Sequence, residues 1–353
     1  MAWFFIAQLK KELDINLDMK MFLDLLSIAI IADVMPLKNI NRVLVQAGLN
    51  YFQISNRPSI KFLRKTLKKD SFNSQDIGFT IAPILNSAGR MDSATLALDF
   101  LTSKDFFESS ILYARLLSLN SKRKSEEKRV FDEAKLQNRD DFGVIVAAGQ
   151  DWHEGVVGIV ASRLADRFKK PAIVLTKSKE CYKGSGRSYA NIDLFSLLEK
   201  NKDILDRFGG HKKAAGLSLK ESNLSILMDR LSSDIKGVSK EDWIEDENIL
   251  GELPFSEIDW ELLKILDMFA PYGEGNPFPK FVAFNIEIVS FKEVGENKDH
   301  LLMTLREKDR FFKAIKFKSS FKLDKKNVDI IYYPQKNRFK NSSYIQLNIL
   351  NIN

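Results

Sequence analysis

Apolar residues in the first hundred positions recur at the spacing of an α-helix rather than at the alternation of a strand. Residues 20–32 are almost wholly apolar, which predicts a helix that is buried on most of its sides. Pro36 ends it, because proline disfavours the helical conformation of the residue before it. Residues 40–53 and 59–68 predict two further short helices.

A longer helix is predicted over residues 104–137, which contain no Gly or Pro. Its apolar positions thin out into the charge run of residues 121–129. We interpret this run as a solvated helix face rather than a binding site. A helix of this kind typically connects two domains.

The hydrophobic period changes after residue 143. Residues 143–148 and 171–176 are short apolar runs typical of buried strands, and residues 154–169 between them have helical spacing. This order predicts a βαβ unit. A helix over 192–206, a strand over 214–219 and a helix over 222–236 would continue the same α/β domain.

The last hundred residues favour β-structure. Residues 239–250 are polar and acidic and are typical of a linker. Five β-rich segments follow, over 280–292, 300–306, 310–318, 328–333 and 343–350, and they predict a small barrel of the OB type. The predicted class is therefore α/β, with domain boundaries at 1–103, 104–138 (the long helix), 139–240 and 245–353.

Composition adds limits to this picture. A chain of 353 residues with 44% hydrophobic content can bury two or three cores. It has no apolar run long enough for a membrane span and no signal-peptide pattern at its start. Cys181 is the only cysteine, so we expect a reducing cytoplasm. The net charge of +7 fits a polyanionic partner, although lysine-rich surfaces without such a partner are also common.

Several kinds of site are disfavoured. The three histidines lie in different predicted elements, which argues against a Cys/His zinc site. There is no Walker A sequence, and Tyr189 stands where a dinucleotide fingerprint would need its third glycine.

The segment Phe208-Gly209-Gly210-His211 is the first candidate for phosphate binding. The glycines permit close approach of a ligand, and His211 is followed by Lys212 and Lys213. The alternative is a glycine pair that ends the preceding helix, with His211 merely exposed.

Two more segments have phosphate-type chemistry. Ser185, Arg187 and Ser188 combine two hydroxyls with a guanidinium in a glycine-containing segment, predicted as a loop. The alternative is a tight turn whose arginine faces solvent. Asn86 and Arg90 are predicted in a loop before a helix capped by Asp92 or Ser93, a location that favours anions.

Asp33 follows the first buried helix and could ligate a divalent metal ion. One carboxylate cannot build such a site, and the alternative is a turn cap before Pro36.

In their order along the chain, these segments resemble the bacterial RecJ single-strand-specific DNA exonucleases, which are DHH phosphoesterases. The resemblance covers essentially the whole chain and is carried by Ala32-Asp33-Val34-Met35-Pro36-Leu37, Asn86-Ser87-Ala88-Gly89-Arg90-Met91, Trp152-His153-Glu154-Gly155-Val156-Val157-Gly158, Gly184-Ser185-Gly186-Arg187-Ser188, Phe208-Gly209-Gly210-His211 with Ala214-Ala215-Gly216, and Pro271-Tyr272-Gly273-Glu274-Gly275-Asn276-Pro277.

The resemblance implies a 5′-to-3′ exonuclease of DNA repair and recombination that hydrolyses single-stranded DNA with two Mn²⁺ or Mg²⁺ ions. It implies a DHH catalytic domain and a DHH-associated domain joined by the long helix, and an OB-fold domain that grips the strand. Asp33 would be a metal ligand. Asn86, Arg90, Ser185, Arg187, Ser188, Gly209, Gly210 and His211 would bind phosphates.

The chain departs from the family pattern in two places. Residues 1–32 contain no histidine and none of the aspartate motifs that precede the Asp33 motif in the family. Ile84 also stands where an arginine is expected. We therefore expect the first half of the catalytic domain and most metal ligands to be missing.

Two hypotheses follow for activity. The chain is part of an exonuclease, incomplete or split from an upstream fragment that carries the DHH motifs, and cuts little or nothing alone. Alternatively, it is a non-catalytic module that binds single-stranded DNA or protein. A small-oligonucleotide phosphatase fits less well, because the barrel indicates long strands. Candidate partners also include a single-strand binding protein and a helicase.

Overall fold

The computed structural model describes residues 1–69, 71–245, 248–295, 298, 300–317, 326–339 and 342–353. The chain divides into two compact units. The first comprises Met1–Ile28, Asn50–Phe72 and Asp76–Asp246, and the second comprises Ala29–Leu49, Asn73–Gln75 and Glu247–Asn353. Both units thus take segments from the first hundred residues. The four boundaries drawn from the sequence stay a prediction.

Helices make up the early part of the chain, as predicted. They are α1 (Ala2–Glu12), α2 (Leu23–Ala32), α3 (Asn39–Ile54), α4 (Pro58–Leu67), α5 (Ala82–Met91), α6 (Thr95–Leu101) and α7 (Phe106–Ala134), with a 3-10 turn at Met19–Phe22 and a π-turn at Asp76–Ile81. The Asp105 carboxylate caps α7 by accepting a hydrogen bond from the Glu108 N–H at 2.8 Å.

The predicted solvated face of α7 is only partly solvated. Arg123, in the middle of the charge run, exposes only 9% of its surface. Its guanidinium donates to Asn120 Oδ1 and to Glu127, which sits one turn further along the helix. Six of the nine residues in the run are exposed, so the interpretation holds for most of it; Arg123 is buried because it is paired.

A five-stranded sheet forms the centre of the first unit. It is built from β1 (Ile145–Gly149), α8 (Glu154–Phe168), β2 (Ala172–Ser178), β3 (Cys181–Arg187), α9 (Leu194–Glu199), β4 (Arg207–His211), β5 (Ala214–Lys220) and α10 (Leu224–Asp234). The strand order is β1-β2-β3-β5-β4. β1 and β2 are parallel, which confirms the predicted βαβ unit, and β3, β5 and β4 are joined antiparallel.

Each face of the sheet has its own core. Val146, Ile173 and Leu217 belong to the cluster on one face, and Ala147, Val174 and Val160 of α8 belong to the cluster on the other. This division follows from the alternation of side chains along each strand.

A closed barrel forms most of the second unit. Its elements are β6 (Ile249–Glu252), α11 (Trp260–Met268), β7 (Lys280–Val294), β8 (His300–Glu307), β9 (Arg310–Lys316), β10 (Asn327–Phe339) and β11 (Ser342–Ile352). The order β10-β11-β9-β8-β7 is closed by pairing of β10 with β7. The five predicted strands and the OB-like barrel are confirmed; the predicted third strand ended at Lys318, which lies outside the described residues. β6 and α11 were not predicted.

The second unit also contains the segment after α2. Leu37 exposes 3% of its surface, and its N–H donates to the Glu274 carbonyl at 2.6 Å. Arg42 donates to the Phe269 carbonyl at 2.8 Å. The motif of residues 271–277 therefore packs on residues 36–42 within this unit. Among the described residues, none of the helices combines the length with the apolar character that a membrane span requires.

Candidate nucleic-acid interface

Three strands of the first unit place their polar side chains on one face of the sheet. Lys183, Ser185 and Arg187 alternate along β3, so they point to the same side. Residues directly opposite on β5 and β4 share that face. The register therefore creates three rows across the sheet, Lys183–Ser218–Arg207, Ser185–Gly216–Gly209 and Arg187–Ala214–His211.

Both glycine-containing segments that were candidates for phosphate binding therefore lie in strands, including the one predicted as a loop. Ser185 and Arg187 lie in β3, and Gly209, Gly210 and His211 lie in β4. Gly210 is neither a helix cap nor a loop residue: its φ is +149°, and a Cβ there would meet the Ala214 carbonyl oxygen at 2.3 Å. The loop prediction failed because glycine-rich strands lack the apolar alternation that identifies a strand.

A cleft lies over this face of the sheet, and helices α5 and α8 form its sides. Arg90 Nη1 donates to the Gly155 carbonyl at 3.2 Å, which joins the end of α5 to the first turn of α8. A Cβ on Gly155 would lie 2.0 Å from the Arg90 carbonyl oxygen, so this approach requires glycine.

The cleft has a volume of about 740 Å³ and is lined by four cationic side chains and one carboxylate, Glu154, whose Oε1 lies 3.9 Å from Lys183 Nζ. It is lined by Gly89, Arg90, Glu154, Gly155, Val157, Gly158, Lys183, Gly184, Ser185, Arg187, Arg207, Phe208, Gly209, Gly216, Leu217 and Ser218. The size falls in the usual range for ligand sites, about 300–1,000 Å³.

Two arginines that line the cleft, Arg90 and Arg187, are close enough for the charge of Arg90 to disfavour the charge of Arg187. Partial burial lowers the pKa of Arg187, and the positive charge of Arg90 lowers it further. Partial burial also lowers the pKa of Arg90, with the nearby Arg123 as the next cause. Arg187 donates to two neutral oxygens, Ser185 Oγ at 2.6 Å and the Gly186 carbonyl at 2.8 Å. An anion in the cleft would offset both the burial of these charged guanidinium groups and the repulsion that they experience from neighbouring arginines.

Helix α7 supports the cleft through the turn that begins α8. Three side chains of α7 each hold one residue of the turn: Arg129 donates to the Asp151 carbonyl at 2.8 Å, Glu133 accepts from Trp152 Nε1 at 2.6 Å, and Glu126 accepts from the His153 N–H at 3.3 Å. His153 Nδ1 in turn accepts from the Gly155 N–H at 3.0 Å and caps α8. The hydrogen bond from Arg129 is the main reason that the pKa of Glu126 is lowered.

Four of the eight predicted phosphate-binding residues line the cleft: Arg90, Ser185, Arg187 and Gly209. The other four do not. His211 shares the face of β4 with Gly209, and its Nδ1 accepts from the Lys213 N–H at 3.3 Å. Ser188 uses its hydroxyl within its own turn, donating to the Ile192 carbonyl at 2.6 Å.

Asn86 and Arg90 lie in helix α5 rather than in a loop at a helix N-terminus. α5 extends from Ala82 to Met91. The predicted cap by Ser93 is present at the next helix, α6, where the Ser93 hydroxyl accepts a hydrogen bond from the Thr95 N–H at 3.2 Å. Gly89 suggested a break, but a single glycine near a helix end is tolerated. Ile84, in place of the expected arginine, is 7% exposed and faces the apolar side of α5.

The prediction missed Lys183, Arg207 and Gly216. The signal was present as a period of two, since Lys183-x-Ser185-x-Arg187 and Arg207-x-Gly209-x-His211 each place three residues on one face of a strand.

The described residues do not gather a metal site. Among them, no three His, Cys, Asp or Glu side chains come together in a way that could hold a metal ion. Asp33 is exposed at the end of α2, in the second unit. Asp24 is fully buried but is engaged by Arg57 at 3.2 Å and by Ser55 at 2.6 Å. Asp33 and Asp24 therefore do not supply the ligand set of a two-metal centre by themselves.

Comparison with known proteins identifies the family. Residues 141–237 match the model of the DHHA1 domain, and residues 249–351 match the model of the RecJ OB domain. The single-stranded-DNA-specific exonuclease RecJ of Bacillus subtilis is 37% identical over 293 residues, 80% of this chain. The chain belongs to the RecJ family.

Other RecJ proteins are also similar to this chain in sequence or structure. RecJ of Haemophilus influenzae is 30% identical and matches 92% of this chain. The crystal structure of RecJ from Thermus thermophilus in complex with Mg²⁺ superposes on 98% of this chain, with a TM-score of 0.84 and 27% identity. The chain spans 37% of the Bacillus RecJ, 60% of the Haemophilus RecJ and 54% of the Thermus RecJ chain. The predicted family and fold class are confirmed.

Proposed function

We propose that the cleft of the first unit binds the sugar–phosphate backbone of single-stranded DNA, as part of a RecJ-type 5′-to-3′ exonuclease that acts in DNA repair and recombination. The observation that carries this proposal is the convergence of Arg90, Lys183, Arg187 and Arg207 on one glycine-lined cleft. Phosphate oxygens suit guanidinium groups, which bind them in a bidentate manner.

The cleft favours a backbone over a base as its ligand. Its cations lie on three different elements, α5, β3 and β4, so they can contact phosphates from several directions. Contacts of this kind position a nucleic acid without reading its sequence. Binding that does not depend on base identity is what an exonuclease on long strands needs.

Hydrolysis would depend on divalent metal ions, as the Thermus RecJ structures with Mg²⁺ and with Mn²⁺ indicate. When bound, such ions activate water and stabilise the leaving oxygen. In this chain Asp33 is the proposed ligand, and it would need further ligands beyond the residues described above. The chain alone is therefore expected to bind strands and to cut little or nothing.

We propose that a further polypeptide segment packs on the exposed apolar side chains of α1. Phe5 of α1 and Leu13, directly after the helix, expose 68% and 59% of their surface, and no residue of α1 is buried. An apolar face of this kind is typical of an interface. The proposed occupant is a fragment that carries the DHH motifs, in the reducing cytoplasm. A single-strand binding protein and a helicase are further candidates that rest on the family resemblance.

The first test measures binding of a fluorescent, 5′-phosphorylated single strand by anisotropy over a range of salt concentrations. We expect Arg187→Gln and Arg207→Gln each to weaken binding about tenfold and to reduce the salt slope by about one unit. Arg230→Gln is the matched control, since Arg230 pairs with Asp203 on the surface away from the cleft. Unchanged affinity in both cleft variants would overturn the proposal.

A cleavage assay distinguishes a partial exonuclease from the alternative function, a binding module without catalysis. The chain is incubated with Mn²⁺ and the same strand, alone and with a fragment that contains the DHH motifs. Cleavage only with the fragment supports a split or partial exonuclease. Robust cleavage by the chain alone that Asp33→Ala abolishes would contradict the expected inactivity. Binding without cleavage in both mixtures would favour the binding module.

A further inference from the structure

The turn that begins α8 is held by α7 in a one-to-one arrangement. Arg129, Glu133 and Glu126 contact Asp151, Trp152 and His153 respectively. Residues 126, 129 and 133 recur at helical spacing, so they share one face of α7. We call these three side chains the α7 clamp.

The clamp is internally connected. Glu126 accepts two hydrogen bonds from the Arg129 guanidinium, at 3.0 and 2.7 Å, and Glu133 accepts a third at 3.0 Å. Each carboxylate therefore uses one part of its capacity to fix Arg129 and another to hold the turn. Side chains in such a network are already restricted, so holding the turn costs them little further conformational entropy.

The turn itself needs external support. Asp151 has a φ of +58°, in the left-handed region, which residues other than glycine adopt rarely and aspartate more often than most. Backbone in such a region persists only where its surroundings hold it in place. Thr176 Oγ1 adds a hydrogen bond to the Trp152 carbonyl at 2.7 Å, from the neighbouring strand β2.

A continuous series of contacts leads from the clamp to the cleft. The clamp fixes Asp151–His153, and the His153 ring caps the Gly155 N–H. The carbonyl of Gly155 accepts from Arg90, whose guanidinium lines the cleft. A shift of the turn would move the acceptor that orients Arg90.

We propose that Glu126, Arg129 and Glu133 are positioning residues for phosphate binding, and that they act through the first turn of α8 on Arg90. This inference rests on the proposed function of the cleft. It assigns to the connecting helix a role in the affinity of the site as well as in its architecture. It also explains the segment Trp152-His153-Glu154-Gly155 chemically: the indole and the imidazole are contacts of the turn, and the glycine admits Arg90.

A double-mutant cycle tests the inference, with single-strand affinity as its measurement. In the otherwise unchanged protein, we expect Arg129→Leu to weaken binding about tenfold, the scale of effect given by a displaced binding group. In an Arg90→Gln background, the same substitution should change affinity less than twofold. Residues that act through a common group are non-additive in this way, whereas a general loss of structure is not.

Two further variants keep the test informative if Arg129→Leu folds poorly. Glu133→Gln retains an oxygen that accepts from the Trp152 indole and should keep most of the affinity, whereas Glu133→Ala should not. Asp132→Asn is the matched control, because it removes an ion pair with Lys135 on the same helix without touching the turn. Its affinity should equal that of the unchanged protein.

The outcomes separate the two proposals. If Arg129→Leu weakens binding equally with and without Arg90, or if Glu133→Ala leaves affinity unchanged, the positioning role is wrong. If the unchanged protein does not bind single strands at all, the proposed function of the cleft fails first.

Discussion

Gly209 and Gly216 face each other across β4 and β5, and the fold requires glycine at neither position. A Cβ on Gly209 would find nothing within 4 Å, and one on Gly216 would lie 3.9 Å from the Gly184 carbonyl. Both backbones avoid the left-handed region, since a positive φ is recorded for Gly210 but for neither of these. In the proposed function, their lack of side chains leaves room for the strand on this face of the sheet.

Substitution of Gly209 or Gly216 by alanine should therefore affect stability and binding in opposite directions. We expect the free energy of unfolding to rise by about 0.4–1 kcal/mol, because alanine restricts the unfolded chain. Single-strand affinity should fall about tenfold, because a methyl group would stand on the cleft floor. Urea unfolding and anisotropy titration measure the two effects.

Gly237→Ala provides the comparison. Its Cβ would also meet nothing within 4 Å, and it lies outside the cleft. We expect the same gain in stability with no loss of affinity. If the Gly209 and Gly216 variants bind single strands as well as Gly237→Ala does, these two glycines do not contact the ligand.

Sequence alone could not separate these glycines from the others. Gly155 and Gly210 look the same in the chain, yet each has a carbonyl oxygen within 2.3 Å of the position a Cβ would take. The difference depends on which strand or helix lies alongside, and that is decided by tertiary packing. The motif Gly-Gly-His was recognisable as a candidate, but the role of each glycine was not.

At the scale of elements, α7 and α8 are joined by a nearly buried ionic cluster. Glu127 accepts from Arg123 at 2.6 Å and from Arg163 at 3.0 Å, and the side chain of Glu127 is 13% exposed. Arg163 also lies over the Phe131 ring, 4.3 Å from its centroid. The cluster therefore connects α7, which holds the turn before α8, to α8, which lies beside the cleft.

Glu127→Ala should lower the free energy of unfolding by about 3 kcal/mol, because Arg123 would keep a nearly buried charge without its carboxylate partner. The double variant Arg123→Leu with Glu127→Leu should lose less than the single variant. Urea unfolding of both proteins measures the difference. A loss below about 1 kcal/mol in the single variant would indicate that water screens the pair.

Elements with regular hydrophobic spacing were predictable from the sequence. The long helix, the βαβ unit and the five barrel strands each repeat apolar residues at the period of the structure that they form. Strands β3 and β4 were not recognised as strands, because the residues that repeat with a period of two are Lys183, Ser185 and Arg187 in β3 and Arg207, Gly209 and His211 in β4, none of them apolar. The chemistry that makes the site thus removes the pattern that would reveal its secondary structure.

At the scale of the whole molecule, the second unit draws part of its core from a distant stretch of sequence. Leu37 lies against Gly273, whose Cβ would sit 2.8 Å from the leucine Cδ1, and Asn41 donates to the Pro36 carbonyl at 3.1 Å. The linear boundary predicted at residue 245 could not show this, because contacts between residues 37 and 274 leave no local trace in the sequence.

Leu37→Ala should therefore destabilise a region more than two hundred residues away in the chain. We expect a loss of about 2–4 kcal/mol in the unit that contains the barrel, as for other buried leucines. Hydrogen exchange should show faster exchange of the amides in residues 271–277. Ile40→Ala, at a position that is 51% exposed, is the control. Unchanged protection after Leu37→Ala would contradict the argument.

The length of the turn at Lys212 and Lys213, between β4 and β5, limits which insertions and deletions the gene can tolerate. Phe208 packs on Phe195 with ring centroids 5.6 Å apart, while its neighbours Arg207 and Gly209 face the cleft. Insertion or deletion of one codon in this turn would shift β4 by one position and turn Arg207 and Gly209 away from the cleft together. The phenylalanine would then point into it. Length variation at these two residues should therefore be far less tolerated than replacement of either lysine.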